Sequence, residues 1–111
     1  MSNPDIMTID VHTLKKLREA NPALLLLDVR ESQEWKQIHI PDAIHIPKDQ
    51  IIDRISSVTN DKTVPVYIHC RSGVRSLYAA QCLQEMGFEK IYSVEGGIID
   101  WVMAGYEVIE A

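Results

Sequence analysis

The chain has 111 residues, 46% of them apolar and 24% charged, with a net charge of −5. That length suits one domain over residues 1–111 with a core of its own, and the apolar share excludes a disordered or collagen-like chain. The acidic balance argues against nucleic acid or an anionic membrane as a partner. The longest apolar run, Ala23 to Leu27, is far below the roughly 20 residues that span a bilayer. Asp5 interrupts the start and no basic stretch leads into an apolar one, so no secretory leader is read. The expectation is a cytoplasmic protein whose two cysteines, Cys70 and Cys82, are free thiols.

Along the chain, short apolar runs alternate with helical patterns. Met7–Ile9 reads as a strand, and Asp10 as the cap of a helix that carries Val11, Leu14 and Leu17 and ends at Asn21-Pro22. Leu24–Val29 is a continuous apolar strand, as in a parallel sheet covered on both faces. Ser32 is placed as the cap of a short helix bearing Trp35 and Ile38, which Pro41 breaks before an extended Ala43–Ile46. Asp49 is placed as the cap of a helix with Ile51, Ile52 and Ile55. Val64–His69 is a buried strand with Pro65 near its start, where a missing donor is tolerated. A helix over 74–86 follows, with Leu77, Ala80, Leu83 and Met86 as candidate core contacts and Gly87 as its C-terminal cap. Lys90–Val94 is a strand, Gly96-Gly97 a turn, and Ile98–Ala104 a last helix closed by Gly105. This alternation predicts a three-layer α/β/α sandwich with a mainly parallel central sheet, binding its ligand at the carboxyl ends of the strands.

One such junction carries chemistry: His69-Cys70-Arg71-Ser72-Gly73-Val74-Arg75-Ser76, between an apolar strand and a helix. A cysteine just before a helix N-terminus faces unpaired N–H groups and the positive end of the dipole. Arg71 and Arg75 add full charges, so the Cys70 thiol is expected below its free value of about 8.5. Gly73 lets the backbone curl so that successive N–H groups point inward as an anion cradle. The prediction is a nucleophilic thiolate receiving an anionic substrate. The plainer reading is a small buried hydrophobe, and it suits mid-helix Cys82; flanking cations set Cys70 apart, because an inert core thiol gains nothing from them.

Other candidates carry less. His69 adjoins Cys70, but consecutive strand residues face opposite ways, so a structural role is read. Asp28 and Arg30, at the end of an apolar strand, either hold the neighbouring loop by hydrogen bonds or enter the site, with the structural role favoured. His12, His39 and His45 show no ligand spacing, Trp35 and Trp101 are read as packing residues, and Gly96-Gly97 lacks a dinucleotide fingerprint. No metal or organic cofactor is expected.

At these residues the chain resembles the rhodanese family over nearly its whole length. Leu26-Leu27-Asp28-Val29-Arg30, then Glu34-Trp35 and His39-Ile40-Pro41, is similar to that family's amino-terminal signature. Cys70 through Ser76 is similar to its Cys-x-x-Gly-x-Arg-Ser active loop, and Gly87-Phe88 with Gly96-Gly97 and Trp101 to its carboxyl-terminal signature. The resemblance implies a rhodanese-like fold and a sulfurtransferase. Cys70 would take sulfur from a small anionic donor such as thiosulfate, become a persulfide, and pass the sulfur to cyanide or a cellular thiol, a protein thiol included. It also implies that the N–H groups of Arg71, Ser72, Gly73, Val74, Arg75 and Ser76 bind the persulfide, while Arg71 and Arg75 attract the donor. One stretch departs from the pattern: Gly-His-Ile-Pro-Gly-Ala reads Ile38-His39-Ile40-Pro41-Asp42-Ala43 here. Asp42 tolerates turn conformations, but β-branched Ile38 would be strained at a positive φ, so the neighbouring loop is expected to differ.

Two rival functions share this fold. A phosphatase or arsenate reductase needs a cup for a tetrahedral oxyanion, built in related phosphatases by Cys-x5-Arg; Cys70 and Arg75 give Cys-x4-Arg, one residue short. A non-catalytic interaction module is the other, although such modules commonly lack the cysteine that this chain keeps.

Overall fold

The structure, a computed structural model, describes residues 6–111; Asp5 lies outside them. Its frame is a five-stranded sheet in the order β1-β6-β5-β2-β4, parallel throughout: β1 Ile6–Ile9, β2 Leu25–Asp28, β4 Ile44–His45, β5 Val66–His69 and β6 Ile91–Val94. Alternate residues of the inner strands face opposite ways and feed two cores. On one face Leu27, Val66, Ile68 and Ile91 pack with Ile51, Ile55, Ala79, Ala80 and Leu83. On the other, Leu26, Tyr67 and Val94 pack with Val11, Leu14, Ile98 and Trp101. The helices behind these cores are α3 Ile51–Arg54 and α4 Val74–Glu85 on the first face, α1 Val11–Ala20 and α5 Gly97–Met103 on the second. The predicted α/β/α sandwich is therefore the observed one. Each Leu or Ile fully buried between sheet and helix contributes about 1.5–3 kcal/mol.

Several local expectations need correction. The Asp10 side chain does accept the Thr13 N–H at 2.7 Å, but Ser32 is not a cap. Glu31 holds that place before α2, Ser32–Gln37, and its N–H donates to Glu34 Oε1 at 2.9 Å. Ile38 does not continue this helix. With φ −160° it enters β3, Ile38–His39, which pairs antiparallel with β7, Ile109–Glu110, a ribbon the sequence reading did not contain. The strain anticipated at Ile38 therefore does not arise, and Asp42 takes the positive φ, 65°, which Asp accommodates better than most residues.

Asp49 caps nothing. It lies inside a 3₁₀ turn, Lys48–Gln50, that follows Pro47; one α turn and a second 3₁₀ turn, Ile55–Ser57, come next. Ile51 and Ile55, four apart, are buried, while Ile52 points outward at 57% exposure. In α4 the buried stripe is Ser76, Ala79, Ala80 and Leu83, leaving Leu77 41% exposed. Counting apolar residues alone shifted the phase, because the stripe begins with a serine turned toward the site.

Candidate active site

β5 is the middle strand, and Cys70 follows its last residue, at the carboxyl edge where the loops of β2 and β6 also arrive. The chain then turns through Gly73, at φ +115°, into α4. That conformation brings the Gly73 N–H to 3.0 Å from Cys70 Sγ. Ser76 Oγ stands 3.7 Å from the sulfur, donates to the Gly73 carbonyl at 3.0 Å and meets Ser93 Oγ at 2.8 Å. Cys70 itself is 1% exposed, at the floor of this cup.

Burial alone pushes the Cys70 thiol up, but the N–H groups of Ser76, Gly73 and Ser72 and the Ser76 hydroxyl outweigh it and hold the thiol below its ordinary value. The direction and the N–H donors match the sequence expectation; the charges of Arg71 and Arg75, expected to add to them, are not among the causes. Arg75 in fact turns to Glu34 of α2, with Nη1 2.6 Å from Oε1 and Nη2 3.0 Å from Oε2. Those bonds hold the Glu34 carboxyl down to about 2. For a depressed carboxyl the stabilisation is present above its unfolded value and is lost only as pH falls through the folded one, so the pair persists across the thiol range. Arg71, Ser72 and Val74 are exposed.

A second helix holds the loop from behind. The first N–H groups of α5 donate to it, Ile98 to the Cys70 carbonyl at 3.0 Å and Ile99 to that of Arg71 at 3.3 Å. This approach requires Gly97, at φ +52°: a Cβ there would lie 2.3 Å from the Cys70 carbonyl oxygen and 2.6 Å from that of Arg71. Both close neighbours are backbone and cannot swing aside. Gly97→Ala should therefore cost at least about 1–3 kcal/mol and slow thiol alkylation at Cys70. A variant with unchanged melting temperature and alkylation rate would show the contact to be soft.

Beneath the cup lies a buried polar network. Arg30 Nη2 and Nε donate to the Asp28 carboxylate at 2.8 and 3.0 Å, and Nη2 also reaches the Ile38 carbonyl at 2.6 Å. His69 Nδ1 donates to the Cys70 carbonyl at 3.2 Å, and its Nε2 lies 3.5 Å from Asp28 Oδ2. Burial pushes the His69 pKa down against the pull of Asp28. His69, Asp28 and Arg30 thus support the loop from below, and Arg30 also lines the cleft between α2 and α5. Among the described residues no cluster of three or more metal-ligating side chains is found. Beside the loop, α2 and α5 enclose a cleft of about 390 Å³ with Arg71 on its rim.

Residues 10–104 match the sequence model of the rhodanese-like domain. The chain belongs to the rhodanese family. A sulfurtransferase of Allochromatium vinosum is 35% identical over 101 residues, covering 91% of this chain and 92% of that protein. YrkF of Bacillus subtilis is 36% identical over 97 residues; the match covers 86% of this chain but 51% of that longer relative. The rhodanese-like domain of the Anabaena protein Alr3790 superposes with a TM-score of 0.85 at 28% identity, over 94% of this chain and 79% of that one. Against this family background, sequence reasoning missed Glu34, Ser93 and Gly97 as parts of the site. Glu34 and Gly97 each carry a signal in the sequence, the Glu34-Trp35 and Gly96-Gly97 matches to the family signatures, whereas Ser93 carries none.

Proposed function

We propose that this rhodanese-like chain is a sulfurtransferase that moves the sulfane sulfur of thiosulfate or a similar donor through a persulfide on Cys70. The observation that carries the reading is the Cys70 sulfur at the floor of a loop whose Gly73 N–H lies 3.0 Å from it. The Cys70 thiolate attacks the outer sulfur of the donor, and the electron pair of the sulfur–sulfur bond departs with sulfite. The persulfide anion then lies among the N–H groups of Arg71 through Ser76, of which those of Ser72, Gly73 and Ser76 already face the sulfur. An acceptor thiolate, or cyanide in an assay, attacks the terminal sulfur and returns Cys70 as a thiolate. Arg71 draws the donor toward the loop, and Arg75 acts on it as one half of its pair with Glu34. No cofactor enters either step. Free thiols at Cys70 and Cys82 suit a reducing compartment such as the cytoplasm.

Intact-mass spectrometry tests this directly. Thiosulfate should add one sulfur, about 32 Da, and cyanide or a thiol should remove it. A folded protein that gains no sulfur from thiosulfate or from an organic donor would overturn the proposal.

A further inference from the structure

Two features beside the cup bear on the donor. The first is charge. Of the loop's two arginines, Arg75 is closed on Glu34 by two hydrogen bonds, with side chains only 24% and 25% exposed. Such a pair presents little net charge to an incoming ion. Arg30 is likewise closed on Asp28. Among the described residues Arg71 has no ion-pair partner, so an inorganic dianion meets one uncompensated cation where the loop sequence contains two. The second feature is the cleft of about 390 Å³ running from Arg71 along α5. Its α5 wall is apolar, Ile98, Ile99, Val102 and Met103, with Val102 44% and Met103 81% exposed, and faces Arg30, Glu34 and Gln37 across the cleft. That volume suits a small organic molecule, whereas a bare oxyanion would leave the apolar wall in water.

We propose that the preferred donor carries its sulfane sulfur on an apolar organic body with a single negative charge, and that Glu34 sets this preference by cancelling Arg75. The proposal rests on the transfer reading above. The organic body lies along α5 and its charge faces Arg71. The Cys70 thiolate bonds to the outer sulfur, the bond from outer to inner sulfur breaks, and its electron pair leaves with the inner sulfur as sulfinate or thiolate. Cys70 is oxidised to the persulfide level as the inner sulfur is reduced, and no other reductant or oxidant takes part.

The probes are benzenethiosulfonate, a monoanion with a phenyl body, and thiosulfate, an inorganic dianion. The readouts are kcat/KM with cyanide as acceptor and the mass of the Cys70 persulfide. Wild type should prefer benzenethiosulfonate. Glu34→Gln keeps an acceptor for the Glu31 N–H and uncovers the Arg75 charge. A field acts twice as strongly on a dianion as on a monoanion, so the gain for thiosulfate should be about the square of the other. That is about tenfold against about threefold at low salt, both shrinking toward no effect near about 1 M salt. Val102→Asn should lower kcat/KM for benzenethiosulfonate at least about fivefold and that for thiosulfate less than about twofold. Equal factors on both donors in either variant, or a wild type that prefers thiosulfate, would overturn the inference and leave the transfer reading standing. A persulfide from neither donor would remove both.

Discussion

Cys70→Ser should abolish sulfur transfer while leaving the fold intact. The two halves of that expectation have separate causes. Serine presents an alcohol whose proton is held far above neutral pH and whose oxygen is a poor nucleophile toward sulfur. Turnover should therefore fall more than about a thousandfold, to the uncatalysed background. Stability should change by no more than about 1 kcal/mol, because the cup already holds partners for a hydroxyl, and a buried polar group is costly only when it lacks them. The Gly73 N–H and the Ser76 hydroxyl, which meet the sulfur at 3.0 and 3.7 Å, are placed to meet an oxygen as well. The measurements are steady-state transfer to cyanide and the melting temperature of the same preparation. The competing view is that Cys70 matters as packing, since it lies in one core cluster with Ala79, Ala80 and Leu83. Packing predicts the reverse result, a marked drop in melting temperature with activity lost only in proportion to unfolding.

What the sequence shows of this site is what local chemistry encodes. A cysteine between an apolar run and a helical pattern, followed by Gly73, announces a cup because the strand, the curl and the helix start each leave a mark within a few residues. The sheet is equally legible, since Leu24–Val29 and Val64–His69 are apolar enough to be buried on both faces. What stays hidden depends on contacts between distant segments. Glu34 lies 41 positions from Arg75, and nothing near either residue says that they meet. The consequence is large, because the pairing changes the charge that the loop offers. Ser76 was assigned to the cradle, yet its burial and its bond to Ser93 depend on how α4 sits against β6. The β3–β7 ribbon is hidden for the same reason: two strands of two residues each leave no periodicity to read. The turns around Ile51 failed differently. Asp49 has the chemistry of a cap, but Pro47 and the Gln50 N–H donating to its carbonyl at 2.8 Å start a 3₁₀ turn before Asp49 could act.

Asp28→Ala should be the most destabilising single change near the site. Asp28 is fully buried at the end of β2, and its carboxylate receives the backbone N–H, Nε and Nη2 of Arg30, itself 2% exposed. Removing the carboxylate leaves a guanidinium that can neither reach water nor lose its proton. Breaking a buried pair in this way costs about 3–5 kcal/mol, against a total of about 5–15 kcal/mol for an ordinary domain. For a chain of this length the melting temperature should fall by roughly 10–25 °C. The pair's value lies in position more than in net stabilisation, so replacing both charges tests the cause. Asp28→Leu combined with Arg30→Met should recover much of the lost stability, because no unpaired charge remains. It should not recover full activity. Arg30 also donates to the Ile38 carbonyl, and His69, 3.5 Å from Asp28, holds the Cys70 carbonyl from which the active loop departs. An Asp28→Ala variant that melts within about 3 °C of wild type would mean that water reaches Arg30 and that the network under the cup is not closed.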